Sequence, residues 1–193
     1  MTWFFEPLPL FCADLVVMDP PTEFALRSEN GVNKSGQGHY AVMTDQEILD
    51  MPVGLLVGAN SWIFLWSNGP KLEFGFACLK RWGFIYVTEL AWRKVSKNGK
   101  PMMGPGYVAR SKHESVLIGK IGRPRYRKAI DSEFDGVRRQ HSRKPEEFYQ
   151  MIDNRFALPW MRKLDCFARQ SRAGWITFGN QRTKFDAAPG VAA

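Results

Sequence analysis

The 193-residue sequence predicts an α/β fold, a three-layer sandwich built on a mainly parallel sheet. Three observations carry this. Short apolar runs of strand length alternate with stretches of helical period. The strands are separated by helices or long crossovers, as parallel neighbours require. A hydrophobic content of 45%, with 14 Phe and 7 Trp, fills a core of globular size. The length suits one domain, read as 1–193 with its core at about 13–181 and a tail at 182–193. In such a sheet a ligand sits at the carboxyl ends of the strands.

The elements follow in order. The run Asp14-Leu15-Val16-Val17-Met18, closed by Asp19-Pro20-Pro21, predicts a buried parallel strand that ends in a loop. Residues 22–40 have no core face and read as a long loop, a length that points to function. Thr44 and Glu47 form a capping box that starts a short helix. Residues 61–66 predict a second buried strand. Pro70 then opens a helix with Leu72, Phe76 and Leu79 on one face, which Gly83 stops. Residues 84–92 are aromatic and β-branched and predict a third strand. Residues 94–106 are rich in Gly and Pro and read as a second loop, and 115–119 predict a fourth strand. Pro145, Glu146 and Glu147 suit the first turn of a helix striped by Phe148, Met151, Ile152 and Phe156. Two strands, 163–169 and 175–178, complete the core.

The charge is placed unevenly. Of the net +8, +6 lies in residues 120–144, which hold nine Lys/Arg against three Asp/Glu. Gly122, Pro124 and Gly136 interrupt any helix there, so the segment reads as a loop or ribbon facing a polyanion. Arg123, Arg125, Arg127, Arg138 and Arg139 are its candidate phosphate contacts; a solvated surface loop is the plain alternative. Cys12, Cys78 and Cys166 are too few and too widely spaced for a disulfide framework or a CxxC metal site. His39, His113 and His141 show no metal-ligand spacing, and no metal is expected. No run reaches the roughly 18–20 apolar residues of a membrane span, and the N-terminus lacks the basic start of a signal peptide. The expectation is an intracellular, cytoplasmic protein with no membrane partner.

Asp19-Pro20-Pro21 has readable chemistry. The exocyclic amine of a nucleobase is a weak nucleophile because its lone pair is delocalised into the ring. A carboxylate and a backbone carbonyl aimed at its hydrogens favour a pyramidal nitrogen. Two prolines fix φ and remove competing donors, so that the Pro20 carbonyl is held toward a substrate. Taken alone, so short a tripeptide more often describes a strand-ending turn in which Asp19 caps a backbone N–H.

The context is an ordered series: Asp19-Pro20-Pro21, His39-Tyr40, Met43-Thr44-Asp45, Phe64-Leu65-Trp66, Trp82-Gly83-Phe84, Gly106-Tyr107, His141 to Glu146, Phe167-Ala168-Arg169, and Trp175 through Gln181. This series resembles the N6-adenine methyltransferase family typified by the catalytic subunit of the eukaryotic mRNA adenosine methyltransferase, and more closely its bacterial and phage members. The resemblance covers about residues 13–181. It implies a class I methyltransferase Rossmann-like fold with permuted motif order, S-adenosylmethionine as cofactor, and N6 of adenine as acceptor. DNA is the favoured substrate, with RNA as the alternative, and the setting is a bacterial or phage-encoded cytoplasmic enzyme. By position it makes Asp19, Pro20, Pro21 and Thr22 the catalytic tetrapeptide. Lys144 falls toward the charged methionine end of the cofactor, Phe167 and Arg169 along its nucleoside, and Asn180 and Gln181 at its ribose or adenine. Arg110 and Glu114 lie in a similarly placed stretch.

The sequence departs from the family at Thr22, where an aromatic residue normally stacks on the flipped-out adenine. Phe24 and Tyr40 are the candidate substitutes. A non-catalytic nucleic-acid-binding homologue is the alternative this substitution opens. A second departure is Gln170-Ser171-Arg172, in place of a His-Asn pair. Almost the whole chain is used by the core, so target specificity is expected to be short or shared with a homodimer mate or partner subunit.

Overall fold

The computed structural model describes residues 3–22, 42–104, 108–140 and 143–186. Seven strands form one sheet in the order β5-β3-β4-β2-β1-β6-β7. They are β1 (Ala13–Met18), β2 (Val57–Ser67), β3 (Ile85–Val95), β4 (His113–Ile121), β5 (Glu133–Val137), β6 (Lys163–Cys166) and β7 (Trp175–Phe178). β1 lies parallel to both β2 and β6, β6 to β7, and β3 to β5, whereas β4 runs antiparallel to its neighbours β2 and β3. The sheet is therefore mainly parallel, with β4 the one reversed strand among the described residues.

The period of two along β1 and β2 makes the layers. Val16, Met18, Ile63 and Leu65 pack on one face with Ile48 of α1 (Asp45–Leu49) and Cys78 and Leu79 of α2 (Leu72–Arg81). Leu15, Val17, Phe64 and Trp66 pack on the other face with Phe148, Tyr149 and Ile152, from α3 (Glu146–Met151) and the π turn Ile152–Phe156 that follows it. α1 has the predicted capping box: the Glu47 N–H donates to Thr44 Oγ1 at 3.2 Å, and the Thr44 N–H to Glu47 Oε2 at 2.8 Å.

Several boundaries differ from the sequence expectations. Phe76 is exposed and meets Tyr86 edge-on, while Gly75 turns inward because Leu117 and Ser67 leave no room for a Cβ. The 94–106 loop begins two residues late, since Lys94 and Val95 belong to β3, and Val95 bridges Pro101 across a turn. The basic segment contains β5, a short edge strand secured where Trp92 Nε1 donates to the Gly136 carbonyl at 2.8 Å. β6 stops at Cys166 rather than 169. The chain ahead of residue 13 joins the core through fully buried Phe5. Part of the expected tail is structured too: the Phe185 N–H donates to the Arg169 carbonyl at 3.1 Å, and Asp186 accepts from the Ser171 backbone at 2.8 Å.

Phe148 is fully buried and meets Phe64, Trp66, Phe134 and Tyr149. Phe148→Ala leaves a cavity between α3 and the sheet, and is expected to cost about 3–5 kcal/mol, read from urea unfolding.

Candidate active site

The parallel strands β1, β2, β6 and β7 bring their carboxyl ends to one edge of the sheet, and β1 delivers Asp19 there. The turn after it is fixed by backbone bonds. The Thr22 N–H donates to the Pro20 carbonyl at 2.9 Å, the Met43 N–H donates to the Pro21 carbonyl at 2.8 Å, and Thr22 and Met43 form a parallel bridge. The Pro20 carbonyl, expected to face a substrate, thus already accepts one bond, and its second lone pair is what remains for an amine.

Asp19 belongs to a string of alternating charges. Lys144 Nζ lies 3.1 Å from Asp19 Oδ1 and 3.1 Å from Glu114 Oε2, and Lys94 Nζ lies 2.7 Å from Glu114 Oε1. The Lys144 ammonium also sits 4.7 Å from the centre of the Trp66 ring, a favourable cation–π position. Four separate elements contribute: β3, β4, the segment entering α3, and the end of β1.

Burial and charge set the protonation of this string. Burial raises the Asp19 carboxyl, Lys144 opposes it, Glu114 adds to it, and the net shift is upward. Burial also disfavours ionised Glu114, but Lys144 and Lys94 outweigh it and lower that carboxyl to about 2. For Lys144 burial works against the ammonium, yet Asp19 and Glu114 hold it charged well above the usual lysine range. Lys144, expected to approach a cofactor, is thus already bound to two carboxylates.

Beside Asp19 opens a cavity of about 410 Å³. Phe167 and Phe178 give it an apolar wall, and Arg169, Asn180 and Gln181 contribute polar groups. Lys144 lines an adjoining cleft that shares Asp19, Phe167 and Arg169 with this cavity. The fold thus brings Asp19, Pro21, Phe167, Arg169, Asn180 and Gln181 together, with Lys144 next door. Phe167 holds a left-handed backbone, φ 62°, a strained conformation for a bulky residue. It is accommodated because Gly179, at φ 134°, brings the β7 end close: a Cβ there would lie 3.0 Å from the Phe167 Cα.

Sequence reasoning missed a second charged cluster lining that cleft. Buried Asp165 lies 3.3 Å from Arg172, whose guanidinium stacks 3.4 Å from the centre of the Tyr149 ring and lies 3.3 Å from Glu146. Burial raises Asp165 to about 7, Arg172 opposing. Its signal was a carboxylate inside an otherwise apolar strand, Leu164-Asp165-Cys166, which demands a buried cation. Lys94 was missed because its partner comes from another strand.

The basic segment divides between the two ends of the sheet. Arg138 and Arg139 follow β5 at the Asp19 end, where Arg139 pairs with Glu146 at 2.9 Å. Arg110 precedes β4 at that end and is exposed. Arg123, Arg125 and Arg127 follow β4, whose last residue Ile121 pairs with Ser61 at the start of β2's buried run. They are therefore at the opposite end, and the fold does not bring them to Asp19. Phe24 and Tyr40 lie outside the described residues, as do His39 and His141.

Gly179→Ala forces a side chain onto a backbone conformation reserved for glycine and against Phe167. S-adenosylmethionine affinity, read by calorimetry, is expected to fall about tenfold or more.

The family model for MT-A70 matches residues 13–181. The chain is 31% identical over 172 residues to an N(6)-adenosine-methyltransferase MT-A70-like protein of Arabidopsis thaliana, covering 86% of this chain and 23% of that one. It is 28% identical over 173 residues to the human N(6)-adenosine-methyltransferase catalytic subunit METTL3, covering 86% and 28%. With the Drosophila melanogaster non-catalytic subunit METTL14 it shares 29% over 189 residues, covering 88% and 46%. The chain thus spans less than half the length of each. These relatives are from plant, mammal and insect, which corrects the expected kinship with bacterial and phage members and the bacterial or phage cytoplasm assigned from it. They are named for adenosine, which overturns the preference for DNA as substrate and nucleic-acid partner. S-adenosylmethionine is the cofactor of this family, and the cavity fits it, with aromatic walls for an adenine and polar side chains for a ribose. The sheet, with the Asp19 strand preceding the β6 and β7 strands that line the cavity, is the Rossmann-like class I methyltransferase fold in permuted order, and the chain belongs to the MT-A70 family.

Proposed function

We propose that this chain transfers a methyl group to N6 of adenosine in RNA. The observation that carries this reading is the Asp19 carboxylate on the wall of the cavity that Phe167, Arg169, Asn180 and Gln181 also line. S-adenosylmethionine would supply a methyl on a sulfonium: transfer would form an N–C bond, break the S–C bond to leave S-adenosylhomocysteine, and release one amine proton to water. Asp19 accepts a hydrogen bond from the amine and favours the positive charge that develops on nitrogen. The free lone pair of the Pro20 carbonyl takes the second amine hydrogen. Lys144 holds Asp19 in position at 3.1 Å, and Glu114 holds Lys144 in turn. Much of the acceleration then comes from orientation, since the chain's own groups fix where the amine sits.

Thr22 favours a second reading, an RNA-binding subunit without turnover, because it cannot stack on the base as an aromatic ring does. The two readings separate on Asp19. With labelled cofactor and a single-stranded adenosine-containing RNA, Asp19→Asn is expected to lower methyl incorporation about 10²-fold or more while cofactor binding persists. Unchanged incorporation in the variant removes Asp19 from the chemistry, and no incorporation by the natural chain supports the second reading. Thr22→Trp is expected to lower the RNA concentration for half-maximal rate about tenfold.

The pH profile tests the charge string. The raised Asp19 carboxyl must be ionised to accept from the amine, so kcat/KM falls on the acid side as pH drops through that raised value. Lys144→Met removes the opposing cation and is expected to move this limb to higher pH. Glu114→Gln removes the anion and moves it lower. Identical limbs in all three proteins would exclude Asp19 as the titrating group.

A further inference from the structure

Residues 120–128 form a cationic strip at the end of the sheet away from Asp19. Antiparallel β4 runs from Ser115 beside Ser67 to Ile121 beside Ser61, a span of about 20 Å at roughly 3.3 Å per residue. Lys120, Arg123, Arg125, Arg127 and Lys128 follow one another with no acid between them. The next acid, Asp131, is engaged by Arg155 at 3.0 Å. Arg123, Arg125, Arg127 and Lys128 are exposed, and among the described residues none of the five cations is ion-paired.

The strip is nonetheless fixed to the fold. The Arg123 N–H donates to Asn60 Oδ1 at 2.8 Å, Trp62 Nε1 donates to the Arg125 carbonyl at 2.9 Å, and the Arg127 N–H donates to the Phe156 carbonyl at 2.8 Å. Gly122 enters it at φ 65°, where a Cβ would lie 2.2 Å from the Ala59 carbonyl oxygen. Between the arginines, Tyr126 lies parallel to the Phe156 ring at 5.5 Å and remains half exposed. The backbone is thus anchored while the charged heads carry no ion pair, Arg127 alone donating from its guanidinium to the Asn154 carbonyl at 3.3 Å, and a firmly backed aromatic stands among them. A solvated loop needs none of these anchors.

We propose that this strip is a second RNA-binding site, separate from the catalytic edge, that takes the phosphates of single-stranded RNA flanking the target adenosine, with Tyr126 available to stack on a base. Cations interleaved with a stacking ring suit single-stranded nucleic acid better than an acidic polypeptide, which has no flat base to stack. The inference rests on RNA as the substrate. It assigns Arg123, Arg125 and Arg127 a role in affinity along the strand rather than contact at the reacting base.

The test is equilibrium binding, read by fluorescence anisotropy without turnover, of single-stranded RNAs of about 25 and about 5 nucleotides. For Arg123→Gln/Arg125→Gln the long RNA is expected to bind about tenfold more weakly. Its slope of log affinity against log salt is expected to become shallower by about 1.4, for two lost phosphate contacts. The short RNA, bound at the catalytic edge, keeps its affinity. Arg123→Lys/Arg125→Lys restores the slope, and an unchanged unfolding temperature certifies the fold of both variants. Equal long-RNA affinity and slope in the glutamine variant overturns the proposal. Displacement of the long RNA by polyglutamate as effectively as by RNA, with no effect of Tyr126→Ala, assigns the strip to an acidic polypeptide and overturns it too. Because binding is measured without methyl transfer, absent methylation by the natural chain refutes the proposed function and leaves this result separately readable.

Discussion

The organisation of this protein depends on keeping one carboxylate, Asp19, ionised in a partly buried position. Withdrawing a carboxylate from water without compensation is expensive, and burial does raise Asp19. Lys144 at 3.1 Å is the direct compensation, and Lys144 is in turn shared with Glu114, which Lys94 holds at 2.7 Å. No residue in this string is neutralised by a neighbour in sequence. Each needs a different strand or connection to be in place, so the Asp19 edge of the sheet forms only when β1, β3, β4 and the entry to α3 are assembled together. This explains why the short α3 carries such heavy packing: Phe148 and Tyr149 are buried just beyond Lys144 and fix where the lysine can reach.

The other half of the site is built on backbone strain instead of charge. Phe167 turns the chain at φ 62° immediately after β6, and Gly179 turns it after β7. The Ala168 N–H donates to the Phe178 carbonyl at 3.1 Å and joins the two turns. The cost of a left-handed phenylalanine, about 1–3 kcal/mol, is tolerated because the surrounding contacts over-determine it: Phe178 packs edge-on against both Phe167 and fully buried Phe5. Phe5, outside the span matched by the family, therefore backs the Phe178 wall of the cavity.

Much of this was legible in the sequence, for identifiable reasons. Alternation along Leu15 to Met18 and Ser61 to Trp66 is enforced by burial on both faces of the sheet, so strand, face and carboxyl-end edge could all be read. The Thr44–Glu47 capping box is local chemistry and was found. Helical period alone marks Phe76 as inward, whereas Gly75 takes the inner position because Leu117 lies 2.8 Å from where its Cβ would be. β5 was hidden by its charges, since an edge strand can be polar on its open side. Arg123 and Arg138 looked like one basic feature, but a reversed strand before the segment and a parallel strand within it send them to opposite ends of the sheet. Long-range charge partners such as Lys94 and Glu114 leave no pattern in a single chain. The kinship and substrate were corrected by relatives, not by geometry: an Asp-Pro-Pro turn at the mouth of a cavity is equally suited to adenine in DNA and in RNA.

The most direct measurement is nucleoside analysis after the chain is incubated with labelled S-adenosylmethionine and an equal mixture of single-stranded RNA and DNA of the same adenine-containing sequence. The label is expected as N6-methyladenosine from the RNA. Recovery as the N6-methylated deoxynucleoside instead, or of no labelled nucleoside from either strand, would contradict it.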